Sequence, residues 1–202
     1  MRKFVLNATL LLLFSKGICQ TQDSTSKIKW GFDLGFNYSN IQLKNADPAV
    51  QHSNAAGFRM GILMDWKLTD HLSFSPKSEL SFNDSKIIVF TNPDDKEIFQ
   101  VYPVILEFAS HLTYKLCNHK TSPYILFGPT CKVPLTGDKK VQYATMRSDI
   151  ALDFGIGIDK KLSYFNFAPE LRYSLGLMNL RGMNAVGQLY FHTVTLVLNF
   201  KG

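Results

Sequence analysis

The sequence predicts an all-β chain: an eight-stranded antiparallel, up-and-down transmembrane β-barrel with a polar, ion-paired interior. Three observations predict it. Apolar residues recur every second position over about 170 residues, and a period of two belongs to strands, whose successive side chains point to opposite faces. One parity is almost wholly apolar and aromatic while the other is small, polar or charged, the pattern of a wall with lipid outside and polar groups inside. The connections between strands alternate between very short and long.

The strands follow in order. The first covers 28–39, with Trp30, Phe32, Leu34, Phe36 and Tyr38 outward and Gly31, Asp33, Gly35 and Asn37 inward. The second, 57–68, turns Phe58, Met60, Ile62, Met64, Trp66 and Leu68 out and Arg59, Gly61, Asp65 and Lys67 in. In the third, 72–83, Leu72, Phe74, Leu80 and Phe82 alternate with Ser73, Ser75, Lys77, Glu79 and Ser81. The fourth, 104–116, sets Leu106, Phe108, Leu112 and Tyr114 against Glu107, His111 and Lys115. The fifth, 123–135, faces Ile125, Phe127, Cys131 and Val133 outward. The sixth, 148–161, carries Leu152, Phe154, Ile156 and Ile158 against Asp153, Gly155, Gly157 and Asp159. The seventh, 164–177, carries Phe165, Phe167, Leu171, Tyr173 and Leu175 against Asn166, Glu170, Arg172 and Ser174. The eighth, 188–200, turns Val194, Leu196, Leu198 and Phe200 outward.

Short links (69–70, 117–122, 162–163) alternate with long ones (40–56, 84–103, 136–147, 178–187). Short periplasmic turns and long outer loops are the habit of outer-membrane barrels. The expected location is therefore the cell outer membrane, with both termini and the short turns in the periplasm and outer-membrane lipid against the wall. Trp30, Trp66, Tyr114, Phe165 and Phe200 then fall at the periplasmic membrane interface and Tyr38, Phe58, Phe82 and Tyr190 at the outer one, where rings apolar at one end and polar at the other are favoured. Pro76, Pro129 and Pro169 lie inside strands. Proline removes a ladder donor, so a bulge or local twist is expected at each. The run Lys86-Ile87-Ile88-Val89-Phe90 reads either as the third strand continuing above the membrane, an edge for a partner, or as a plain hairpin extension.

Residues 1–19 read as a cleaved signal peptide: Arg2 and Lys3, then an apolar run from Val5 to Phe14, with Gly17 and Cys19 as small residues before the cut. Residues 20–27 are a short periplasmic segment and 28–202 the barrel. Ile18 stands where a lipoprotein signal wants Gly or Ala. The formal charge of +6 falls to +3 when Arg2, Lys3 and Lys16 leave with the leader, too little to argue for nucleic acid. Cys117, in a short turn, and Cys131, about 30 Å up the fifth strand at about 3.3 Å per residue, are too far apart to bond.

The inward charges are Asp33, Arg59, Asp65, Lys77, Glu79, Glu107, His111, Asp153, Asp159, Glu170 and Arg172, with Lys67 and Lys115. Eight strands leave an interior that side chains just fill, and charges removed from water must be paired. This mixture reads as an ion-paired filling; the alternative is a proton or small-ion path. His111 with Glu107, two positions apart on one face, is a candidate base and orienter, but mid-barrel offers no route for a substrate. The five histidines are scattered with no ligand spacing. No enzyme activity, metal, cofactor or small-molecule substrate is expected.

Several segments resemble the PorT-like outer-membrane barrels of Bacteroidota (SprT in gliding species). They are Val104-Ile105-Leu106-Glu107-Phe108 leading to Leu112-Thr113-Tyr114-Lys115, and Ser122-Pro123-Tyr124-Ile125-Leu126-Phe127-Gly128-Pro129. The strongest are Asp153-Phe154-Gly155-Ile156-Gly157-Ile158-Asp159 and the stretch from Tyr164 to Leu177. The resemblance spans about Trp30 to Phe200. It implies an accessory barrel of type IX protein secretion and gliding motility, partnered with other secretion-system envelope proteins. It carries over no active-site residue. The alternative is a generic structural or surface-binding barrel acting through its outer loops.

Overall fold

The computed structural model describes residues 27–44, 50–92, 95–135, 148–180 and 188–202. The expected signal peptide, the link 136–147 and most of the link 178–187 lie outside the described residues. The described residues form eleven strands: β1 (Ile28–Lys44), β2 (Val50–Ser53), β3 (Ala55–Lys67), β4 (Leu72–Asn83), β5 (Lys86–Asn92), β6 (Asp95–Gln100), β7 (Val104–Lys115), β8 (Thr121–Pro134), β9 (Asp149–Lys161), β10 (Asn166–Gly176) and β11 (Gln188–Lys201). Eight of them close a barrel in the order β1-β11-β10-β9-β8-β7-β4-β3, with β1 paired to β3 as well. All its neighbours are antiparallel. Every predicted barrel strand is there, the third with the expected bounds.

The registers set the tilt. From Gly31 in one direction the pairs run Leu63, Lys77, Ala109, Thr130 and Ala151. In the other they run Lys201, Asn166 and Lys161. The two routes meet on β9 ten residues apart, and a stagger of ten over eight strands inclines them by about 40° to the barrel axis. The burial pattern is inside-out relative to a protein dissolved in water. Trp30, Phe32, Leu34, Phe36 and Tyr38 are exposed on the wall, while Asp33, Asn37 and Ser39 between them are buried.

The prolines do not produce bulges. The β3–β4 ladder is interrupted beside Pro76, between Leu63↔Lys77 and Trp66↔Phe74. The β7–β8 ladder is interrupted beside Pro129, between Ala109↔Thr130 and Leu112↔Phe127. The β9–β10 ladder is interrupted beside Pro169, between Phe167↔Lys160 and Glu170↔Gly157. Each resumes in unchanged register, and the ladder on the proline's other side is unbroken. In an antiparallel sheet a residue's N–H and C=O point to the same neighbour. A proline therefore weakens one ladder only.

Of the two readings of residues 86–90 the hairpin extension holds, since β5 pairs with β6, and the edge for a partner does not. β5 leaves the barrel ladder and becomes the middle strand of a second sheet, β2-β5-β6. It is paired on both sides and presents no edge. Val50, Ile87 and Val89 from this sheet meet Ile41, Leu43, Val101, Tyr102, Ile105, Leu180, Leu189 and Phe191 in a small apolar core across the barrel mouth.

Candidate functional site

Alternation brings the inward side chains into one lumen, and the tilt decides which of them meet. At mid-height Arg172 lies fully buried between two carboxylates. Its Nη1 and Nη2 donate to Glu79 Oε2 and Oε1 at 2.8 and 3.0 Å, and its Nη2 and Nε donate to Glu170 Oε1 at 2.8 and 3.0 Å. Arg59 shares Glu79, at 3.0 Å from Nη1, and reaches Glu107 at 3.3 Å from Nη2. Lys77 donates to Glu170 at 3.2 Å and to Asn199 at 2.8 Å, and the Tyr124 hydroxyl donates to Glu170 Oε2 at 2.9 Å. Charge-assisted and bidentate, these are the strong class of hydrogen bond.

Two glycines make room for it. A Cβ at Gly35 would stand 2.9 Å from Arg59 Cγ, and one at Gly157 would overlap the Tyr124 ring. Below this layer Lys201 donates to Asp65 at 3.0 Å, and Lys115 Nζ lies 2.6 Å from Asp159 Oδ2. Above it Asn37, Ser39, Ser81 and Asn83 form an uncharged hydrogen-bonded group. A cavity of about 10 Å³ between Lys77, His111, Tyr124 and Glu170 is at the lower limit for a single water.

The structure places all eleven predicted interior residues in the lumen, buried. It changes two details. His111 does not meet Glu107: its Nε2 lies 3.0 Å from Asp153 Oδ2 on β9, two strands round the same wall. Asp153 also accepts from Thr130 at 2.7 Å and from Ser174, and Glu107 is taken by Arg59. The proposed base-and-orienter pair is therefore not formed. Lys67, expected inward, is at the rim and pairs with Asp70 in the following turn at 2.7 Å, both exposed. The lumen also holds residues the sequence reading did not single out: Tyr124, Lys132, Asp149, Asn199 and Lys201. Their inward parity was the available signal, since Cys131 and Val133 flank Lys132 and Phe200 precedes Lys201. Among the described residues no cluster of three or more His, Cys, Asp or Glu could hold a metal ion. Cys117 and Cys131 are unbonded.

On the outer wall Trp30, Trp66, Tyr114 and Phe165 are exposed. Trp66 pairs with Phe74 and Tyr114 with Leu72, both close to the short-turn end. On β1 the apolar wall runs from Ile28 to Tyr38, about 25 Å along the axis at the tilt above. Beyond it the exposed residues are Asn40, Gln42 and Lys44, and the inward ones become Ile41 and Leu43. β11 changes at the same level, Thr193 and Thr195 giving way to Phe191 and Leu189 inside.

The architecture has solved counterparts. The outer membrane protein OprG of Pseudomonas aeruginosa superposes with a TM-score of 0.50 at 17% identity, covering 87% of this chain and 94% of that one. Neisserial surface protein A superposes with a TM-score of 0.50 at 12% identity, covering 88% and 98%. At these identities the likeness shows the fold. No curated protein matches the chain in sequence. The family model for the outer membrane protein beta-barrel domain matches residues 20–182. With the closed eight-stranded barrel, its apolar wall and its ion-paired lumen, this makes the chain a member of the outer membrane protein beta-barrel domain family.

Proposed function

We propose that this protein is a non-enzymatic outer-membrane barrel whose working surface is its long-connection end. The observation that carries this is the contrast between lumen and mouth. At mid-height the lumen is crossed by buried ion pairs among the described residues, while β2, β5 and β6 rise beyond the barrel ladder as a built sheet over an apolar core. Order of that kind suits a surface that recognises something. In this reading the termini and short turns lie in the periplasm, Trp30, Trp66, Tyr114, Phe165 and Phe200 sit at the inner membrane interface, and the β2-β5-β6 sheet faces outside. The test replaces 50–53 and 86–100 by short turns and measures cell-surface binding alongside folding of the barrel. Loss of binding by a folded barrel supports the proposal; unchanged binding overturns it.

A second reading rests on the strand segments from Asp153 to Asp159 and from Tyr164 to Leu177, which resemble the PorT-like barrels. In it the protein is an accessory component of type IX secretion and gliding motility, docking other envelope proteins of that system. Deleting the gene and assaying export of cargo with a C-terminal sorting signal tests it, and normal export sinks it.

A further inference from the structure

Among the described residues eight carboxylates are buried in the lumen with five lysines and arginines and His111, and Lys115, beside Asp159, and Lys29 are half-buried at its edge. Six of the eight carboxylates have a basic partner within 4 Å. Asp149 lies opposite Lys132 across the β8–β9 ladder and accepts the Met178 N–H at 3.1 Å. Asp33 is left: it is 1% exposed, and neither of its oxygens has a hydrogen-bond partner.

Its surroundings explain why no base serves it. The cross-strand neighbours of Asp33 are Asn199 and Gly61. The charged groups bearing on it are Glu79 and Lys77 from β4, Arg59 from β3 and Arg172 from β10, and Lys29 lies four residues away on its own strand face. All three cations from the other strands are already committed to Glu79, Glu107 and Glu170. A carboxylate withdrawn from water must be neutralised or paired.

We infer that Asp33 is the counter-cation site of the lumen: it binds one small exchangeable monovalent cation, a proton or an alkali-metal ion, which balances a carboxylate no side chain serves. Occupied, the site leaves Glu79 its two arginines. Emptied, Asp33 competes with Glu79 for them, so loss of the cation loosens the mid-height layer.

The experiment uses the folded barrel in detergent. Its thermal unfolding midpoint is followed against pH, and against sodium and potassium with choline holding ionic strength constant, for the native protein and Asp33→Asn. A proton at the site predicts a midpoint that rises as pH falls, a protonated-carboxyl infrared band, and loss of both in Asp33→Asn. An alkali ion predicts a midpoint that rises with sodium or potassium but not choline, again lost in the variant. Asp33→Asn should be at least as stable as the native protein at neutral pH. A variant that is markedly less stable, or that keeps the native pH and cation dependence, overturns the assignment. If the variant does not fold, the native protein decides: neither a protonated-carboxyl band nor a specific cation effect overturns it.

Discussion

The barrel wall and the mouth above it solve opposite problems with the same strands. Along β1 the inward residues pass from Asp33, Asn37 and Ser39 to Ile41 and Leu43, while the outward ones pass from Phe36 and Tyr38 to Asn40, Gln42 and Lys44. β11 makes the same exchange around Thr193. Pleat and pairing continue without interruption and only the chemistry inverts. The level of inversion is where the surrounding solvent changes from lipid to water. Against lipid the wall must be apolar and the interior can be polar; in water an element must hide its apolar face. The two regions also differ in how they are held. The lumen depends on a few directional charge contacts, the mouth on non-directional packing of nine buried side chains.

The largest effect should come from breaking the lumen. Arg172→Met leaves Glu79 and Glu170 short of their common partner. Removing one member of a buried ion pair costs about 3–5 kcal/mol. Unfolding of the purified barrel, read by its heat-modifiable gel mobility, should show a lower midpoint for the whole molecule. A change limited to the mouth would contradict the comparison.

Ile87→Ala tests the other region. The residue is 2% exposed in the mouth core, and truncating a buried isoleucine costs about 2–5 kcal/mol. The loss should appear as faster proteolysis of the β5–β6 hairpin while the barrel keeps its unfolding midpoint. Equal loss in both would show that the regions are one cooperative unit.

The smallest effect belongs to the join between them. Asp84, where β4 gives way to β5, accepts hydrogen bonds from Lys86 at 3.0 Å and Gln100 at 3.0 Å. The Lys86 bond holds its carboxyl below the usual range. A lowered folded value means that the contribution is present above the unfolded value, about 4, and is lost as pH falls through the folded one. Protease resistance of the hairpin should therefore decline slightly in acid. Asp84→Asn should abolish that pH dependence with no change in the barrel.

Much of the wall was legible in the sequence, because alternation encodes facing directly: Leu72 to Asn83 could be bounded and its two faces assigned from residue types alone. What was not legible depends on angles that parity does not carry. His111 meets Asp153 rather than Glu107 because Gly128, which has no side chain, stands between them on β8, level with His111 and paired with Asp153. Glu107 and His111 share a face but lie four residues apart, about 13 Å at 3.3 Å per residue, so sharing a face does not make them partners. The mouth was hidden for a different reason. Lys86 to Phe90 could be read as an extension above the membrane, but nothing local says that β2 pairs with it or that Ile87 and Val89 pack on a core across the mouth. The prolines misled because a strand was treated as having one ladder. It has two, and proline touches only one.

The last strand in sequence is also the one that shuts the ring. β11 pairs with β1 over fourteen residues, from Gly31↔Lys201 to Lys44↔Gln188, joining segments more than 140 positions apart. Until it arrives, β1 and β10 each present an open row of peptide groups that lipid cannot satisfy. Closure of the ring therefore rests on this one pairing between the first and last barrel strands. The Lys201–Asp65 contact reaches across that seam from β11 to β3 and fastens the two strands on either side of β1.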